Sequence, residues 1–237
     1  MIIDNHFEQS DVLAAQLASD VAGLLQRAVE QRGRACLAVS GGTTPVLFFQ
    51  QLAQQTISWQ HVLITLVDER WVAPTDPQSN AALVQQHLLQ HRAQEAFFLA
   101  LFNDANTPED GFMMCENRLH ELVDQLDVAV LGMGNDGHTA SWFPHSSALG
   151  ALLDPLSHGR CYPVADQTPP RMSLTWGWLK HCEQLYLHFE GEQKNRTYEM
   201  AKGAAVEATH VFDSGDIHAM PVRTLLQGEV PLSIYRS

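Results

Sequence analysis

Apolar residues recur at helical spacing between positions 10 and 31. Val12, Leu13, Leu17, Val21, Leu24, Leu25 and Val29 fall on one face. That pattern predicts a long amphipathic helix with Ser10 as its N-cap and Gly33 at its end. A short strand at Ile2 and Ile3 is expected before it. Compact apolar runs follow at 35–39, 62–67, 127–131, 161–164, 184–189 and 232–235, and each reads as a strand. Helical stretches separate them: 45–55 opened by Pro45, 80–90 capped by Asn80, 109–126 with Met113, Leu119 and Leu122 on one face, then 176–181, 192–201 and 221–227. Residues 171–175 are expected to pair as an edge strand. Pro74 and Pro77 mark 71–79 as a loop, and 167–171 reads as a rigid one; 144–157 and 206–220, with His210 and His218, look irregular. Strands alternating with helices predict an α/β fold, a mainly parallel sheet with helices on both faces. With no repeat, low-complexity tract or linker, a single domain over 1–237 is expected.

The chemistry lies where strands end. After 128–131 come Gly132, Gly134 and Gly137, with Asp136 and His138 among them. Glycines let the backbone approach a ligand closely, and the carboxyl edge of an open α/β sheet is where ligands bind. His138 is the residue there able to exchange a proton near neutrality. The spacing Gly132-x-Gly-x-x-Gly137 matches a dinucleotide fingerprint, but that match is weak alone. A histidine follows the third glycine, and the acid expected about 20 residues on is missing. After 35–39 comes Ser40-Gly41-Gly42-Thr43-Thr44-Pro45. A strand, a glycine pair, hydroxyls and a helix start make an anion site; the structural alternative is a tight turn capped by Thr44. Asp68-Glu69-Arg70 closes a third strand beside these loops.

Composition narrows the choices. The formal net charge of −13 argues against nucleic acid and anionic membrane surfaces as partners. It also requires that any anionic ligand meet a local cluster of cations. Lysine and arginine together number 14, so Arg70, Arg171 and Lys194 gain interest. Four scattered cysteines without a C-x-x-C pair read as reduced thiols, and no signal peptide or membrane span is apparent. A cytoplasmic location is expected. His87 and His91 stand four apart, but no third metal ligand is evident, and an exposed helix face accounts for them. Trp142-Phe143-Pro144 reads as an apolar wall beneath the site.

These residues together resemble the 6-phosphogluconolactonase family. The resemblance rests on Ser40 to Pro45, Asp68-Glu69-Arg70, Ser79-Asn80, the run Gly132-x-Gly-x-Asp136-Gly-His-x-Ala-Ser-x-Phe-Pro144 and Pro170-Arg171. It extends from the long helix to Lys194 and thins beyond. It implies a single Rossmann-like, NagB-like domain and hydrolysis of 6-phospho-D-glucono-1,5-lactone to 6-phospho-D-gluconate, in the oxidative pentose phosphate pathway. Glucosamine-6-phosphate deaminases share the fold. They resemble Asp-Glu-Tyr where this chain has Arg70, and they carry a working glutamate where it has Phe143.

On this reading His138 is the general base that activates water, and either Asp136 or Asp68 orients its ring. Gly41, Gly42 and Thr43, with Arg70, Arg171 and Lys194, bind the substrate, a small phosphorylated sugar lactone. Backbone N–H groups of the glycine loops face the developing oxyanion. Neither a metal nor an organic cofactor is required, and a monomer is expected. Two rivals come from other classes: a deaminase-like isomerase and a non-catalytic sugar-phosphate sensor.

Overall fold

In the computed structural model, which describes residues 2–203 and 216–237, the chain opens with β1 (Ile2–His6), α1 (Ser10–Arg32), β2 (Ala35–Val39), α2 (Val46–Leu52), β3 (Val62–Leu66) and β4 (Asp68–Arg70). It continues through α3 (Asn80–His87), β5 (Phe97–Leu99), α4 (Pro108–Leu122), β6 (Val128–Leu131), α5 (Leu149–Leu153), β7 (Cys161–Val164) and β8 (Arg171–Leu174). Last come α6 (Trp176–Leu179), β9 (Gln184–Phe189), α7 (Glu192–Ala201), α8 (Arg223–Gln227) and β10 (Leu232–Arg236).

Seven parallel strands form the main sheet in the order β1-β10-β9-β6-β2-β3-β5. Every residue of β2 and β6 is buried, as expected of strands covered on both faces. Leu13, Leu17, Val21 and Leu25 of α1 pack fully buried into this core. Gly33 ends α1 at φ 76°, its N–H donating to Val29 O at 2.7 Å.

The order explains where a site can form. From β2 the chain winds outward through β3 to β5, and from β6 it winds the other way through β9 and β10. β2 and β6 are neighbours, so their carboxyl ends flank the point where the winding reverses. Crevices open at such switch points, and the loops at 40–45 and 132–138 emerge there.

A second, antiparallel sheet runs β4-β8-β7. Here several sequence expectations are corrected. Residues 68–70 leave the main sheet instead of extending β3, and β8 is the middle strand of the small sheet, not an edge. The N-cap of α1 is Gln9; the Ser10 hydroxyl goes instead to Glu190. Ser79, not Asn80, caps α3, accepting from Ala82 N at 3.1 Å. In α4, Met113 and Leu122 are exposed, and the buried face is Cys115, Glu116 and Leu119. α3 ends at His87 and a 3₁₀ turn begins at His91, so those two histidines do not share a helix. The irregular stretch 144–157 contains α5, and β5 has no sequence signal beyond Phe97-Phe98-Leu99. Of 206–220, the part holding His210 lies outside the described residues.

Candidate active site

Ser40 joins the two switch-point loops. Its N–H donates to Val130 O at 3.0 Å, and its hydroxyl accepts from Gly132 N at 2.9 Å. Gly42 turns at φ 90°, a conformation suited to glycine. A Cβ on Gly41 would overlap the Asn80 carboxamide. Among the described residues, the N–H groups of Gly41, Gly42 and Thr43 donate to no protein acceptor. Thr44 does not cap α2, which has no side-chain cap. Its hydroxyl instead accepts from Lys194 Nζ at 3.2 Å, which brings the first turn of α7 onto the loop. Burial lowers the Lys194 pKa, and the Glu190 carboxylate opposes that shift.

The loop after β6 closes on itself. Gly134 N donates to His138 O at 2.9 Å, Gly137 N to Gly134 O at 3.1 Å, and Thr139 Oγ1 to Gly132 O at 2.8 Å. Gly137 adopts φ 80°. This holds His138 Nδ1 2.6 Å from Asp136 Oδ1, an oxygen that also accepts from His138 N at 3.1 Å. Desolvation raises the Asp136 pKa, but the hydrogen bonds and charge of His138 outweigh it and leave the carboxyl below its ordinary value. With Nδ1 engaged, Nε2 has no partner among the described residues. The packing thus favours Asp136 over Asp68 as the ring's neighbour.

Asp68 is occupied elsewhere. Its Oδ2 accepts from Ser141 Oγ at 2.6 Å and from Arg171 Nη1 at 3.5 Å, and its Oδ1 from Asn80 Nδ2 at 3.4 Å. Arg70 and Arg171 are register partners across β4 and β8. Arg70 Nη1 donates to Gln78 O at 2.6 Å. The Nε atoms of both arginines are buried without a partner. Burial lowers the Arg171 pKa and Asp68 counters it. Phe143 stands between imidazole and guanidinium: its ring is 4.4 Å from that of His138, and Arg171 Cζ lies 5.0 Å from its centroid. Trp142, behind it, is buried and bonded through Nε1 to Leu174 O at 2.9 Å. Of the expected apolar wall, it is Phe143 that meets the site.

One cavity of about 380 Å³ gathers Gly41, Gly42, Thr43, Asp68, Arg70, His138, Arg171 and Lys194 on its walls. That volume falls within the range of small-molecule pockets. Asp136 stands outside the lining, behind the imidazole. Every site residue expected from sequence is therefore in or directly against one crevice.

Three contributors were not read from the sequence as site residues. Glu69 points away from the cavity and accepts from Arg70 N, Asn80 N, Ala81 N and Ser79 Oγ at 2.7, 2.7, 2.8 and 3.0 Å. Burial still raises its pKa against those bonds. Alternation along a strand separates it from Asp68 and Arg70 and was the available signal. Ser141 pins Asp68. His188 lines the cavity from β9, a polar ring in an apolar strand, concealed among 12 histidines.

Among the described residues, no group of three or more His, Cys, Asp or Glu is placed to hold a metal ion. No helix among the described residues is long and apolar enough to cross a membrane. No helix follows Gly137 directly, as a dinucleotide fingerprint would need.

Comparison with known proteins gives a consistent result. A family model for glucosamine-6-phosphate isomerases/6-phosphogluconolactonase matches residues 8–229. A 6-phosphogluconolactonase of Mesorhizobium japonicum is 45% identical over 199 residues, 83% of this chain and 84% of that one. Another from Rhizobium meliloti is 40% identical over 232 residues, 97% and 96% of the two chains. The crystal structure of a 6-phosphogluconolactonase from Shewanella baltica superposes with a TM-score of 0.92 at 41% identity, covering 100% of this chain and 98% of that one.

Proposed function

The chain belongs to the glucosamine-6-phosphate isomerase/6-phosphogluconolactonase family, and we propose that it is a 6-phosphogluconolactonase that hydrolyses 6-phospho-D-glucono-1,5-lactone to 6-phospho-D-gluconate. The observation that carries this reading is the pairing of His138, backed by Asp136, with the 40–44 loop and Lys194 across one cavity. The phosphate lies on the N–H groups of Gly41, Gly42 and Thr43 with Lys194 beside it. The lactone ring then reaches toward His138.

His138 Nε2 takes a proton from water as the water oxygen bonds to C1. The carbonyl electron pair moves onto its oxygen, where the N–H groups of Met133 and Asn135, which have no acceptor among the described residues, stabilise it, while the Arg171 guanidinium holds the bound sugar equally in ground state and transition state. Collapse breaks the bond from C1 to the ring oxygen, which takes the proton back from the imidazolium. Asp136 fixes the tautomer and supports the transient charge. Asp68 holds Arg171 in place. Such proton transfer contributes about 10²–10⁴-fold to rate. No step calls for a metal or organic cofactor. The enzyme would act in the cytoplasm, as a monomer, within the oxidative pentose phosphate pathway. Phe143 beside His138 puts an apolar ring where the deaminases resemble one another in carrying a glutamate, which disfavours that rival. The His138–Asp136 pair gives a passive sensor no reason to exist.

A coupled assay on freshly prepared lactone, with spontaneous opening subtracted, tests the reading. His138→Ala should chiefly lower kcat, and Arg171→Ala should chiefly raise KM. Opening no faster than background by the unaltered protein would refute the assignment, and full activity in His138→Ala would refute the base.

A further inference from the structure

Of the two histidines among the described residues that line the cavity, His188 is the one to which this chemistry gives no task. Its side chain is 2% exposed, and its ring meets Phe48 edge-on at 6.3 Å. Nε2 lies 3.0 Å from Glu190 Oε1. The other oxygen of Glu190 is held by the hydroxyls of Ser10 and Ser237. The hydrogen bond from His188 leads in keeping the Glu190 carboxyl below its ordinary value, against desolvation. Lys194, across the same carboxylate, reaches the anion loop at Thr44. Beside His188 stand Phe48 from α2 and Tyr235, its register partner in β10, whose hydroxyl is turned to Asp20.

A carboxylate accepts hydrogen bonds and cannot donate them. Nε2 of His188 is therefore the donor to Glu190. Nδ1 has no protein partner among the described residues, and the ring forms part of the cavity wall. An acid set behind an anion site would by itself repel the ligand. With the His188 ring set between them, the carboxylate takes the Nε2–H, and a proton taken up together with the ligand lets Nδ1 donate to a phosphate oxygen in a charge-assisted bond.

We propose that His188, clamped by Glu190, is a second basic contact for the substrate's phosphate group and selects for phosphorylated ligands. The proposal rests on the lactonase reading and deepens it at the same site.

The test is calorimetric titration of the wild type, His188→Gln and Glu190→Gln with inorganic phosphate, alongside steady-state kinetics on the phosphorylated lactone. Both variants should bind phosphate roughly 10- to 100-fold more weakly, the range of a hydrogen bond to a charged group. KM should rise with kcat little changed. The Glu190→Gln result carries a sign: if the acid merely repels the ligand, removing it tightens phosphate binding. Tighter binding in Glu190→Gln, unchanged affinity in His188→Gln, or a fall in kcat at constant KM would overturn the proposal. Should His188→Gln not fold, the sign in Glu190→Gln decides. Weakened phosphate binding in both variants of a protein that opens no lactone would sink the lactonase reading and leave this one standing. An active lactonase whose variants bind phosphate normally would do the opposite.

Discussion

Replacing Gly134 with alanine perturbs the His138–Asp136 pair and little else. Gly134 is not among the residues at positive φ, so the backbone accepts alanine without strain. The new Cβ would overlap Cε1 and Nδ1 of His138 and stand 2.6 Å from Asp136 Oδ1. Non-bonded heavy atoms settle at about 3.5–4 Å. The carboxylate alone must retreat by about 1 Å, and the ring by more. Both are partly exposed on a loop, so they swing aside at small cost to the fold. The 2.6 Å bond that sets the ring's tautomer and direction is then lost. A displacement of about 1 Å can cost about 10²-fold in rate. We expect kcat to fall by about that factor, with KM and melting temperature near wild type, since the anion loop and Lys194 are untouched. Gly150→Ala is the control, because a Cβ there meets nothing within 4 Å. The assay is lactone opening measured over a range of substrate concentrations, paired with thermal melting. A Gly134→Ala protein with wild-type kcat would refute the placement of the general base.

Other expectations follow from neighbouring contacts. Glu69→Gln exchanges one acceptor oxygen for a donor against buried N–H groups; at about 1–3 kcal/mol and about 2–4 °C per kcal/mol, melting should fall by several degrees in calorimetry. Phe143→Leu removes the ring face shared by His138 and Arg171 and should lower kcat/KM, while Phe143→Tyr, which keeps the face, should restore most of it; equal activity in both would show that the stacking is idle. Asp136 titrates below its ordinary 3.8 when folded, so the unfolded chain binds more protons as pH falls through that range. Its stabilisation is complete above that value and lost as pH falls through the folded one. The urea midpoints of wild type and Asp136→Asn should therefore converge as pH falls from 3.8 through the folded carboxyl's lower value, and a constant gap would count against the pair.

The order of elements and the site loops were legible because both depend on local signals. Apolar runs such as 35–39 and 184–189 can be little but buried strands, and Ser40 to Pro45 carries its own punctuation. What stayed hidden depends on contacts distant in sequence. The choice between Asp136 and Asp68 turned on Ser141, which occupies Asp68 from 73 positions away. The central place of β8 follows from its two partners, and neither pairing leaves a mark on 171–174. In α4 the exposed Met113 and buried Glu116 reverse what hydrophobicity suggests, because Glu116 accepts from the N–H groups of Arg160 and Cys161 at distances of 2.9 to 3.0 Å. His188 needed the sheet order before it had a neighbour to act on.

The charge of −13 is reconciled with an anionic substrate by range. Exposed charges farther than about 8–10 Å are largely screened at physiological salt, so the ligand responds to what lines the crevice. There the acids are already engaged. Asp68 is held by Ser141, Asn80 and Arg171, and Glu190 by Ser10, Ser237 and His188. Each acid holds a basic side chain in place, so less side-chain freedom remains to be lost when the ligand binds. The reaction proposed here gives a further acid, Asp136, a second use. Lactone opening creates a carboxylate facing the His138 ring that Asp136 backs and leaves the phosphate where it was. The product carries one more negative charge than the substrate, on an acidic body whose local cations suffice for the first anion. Binding therefore favours the lactone, and repulsion favours release of the acid it becomes.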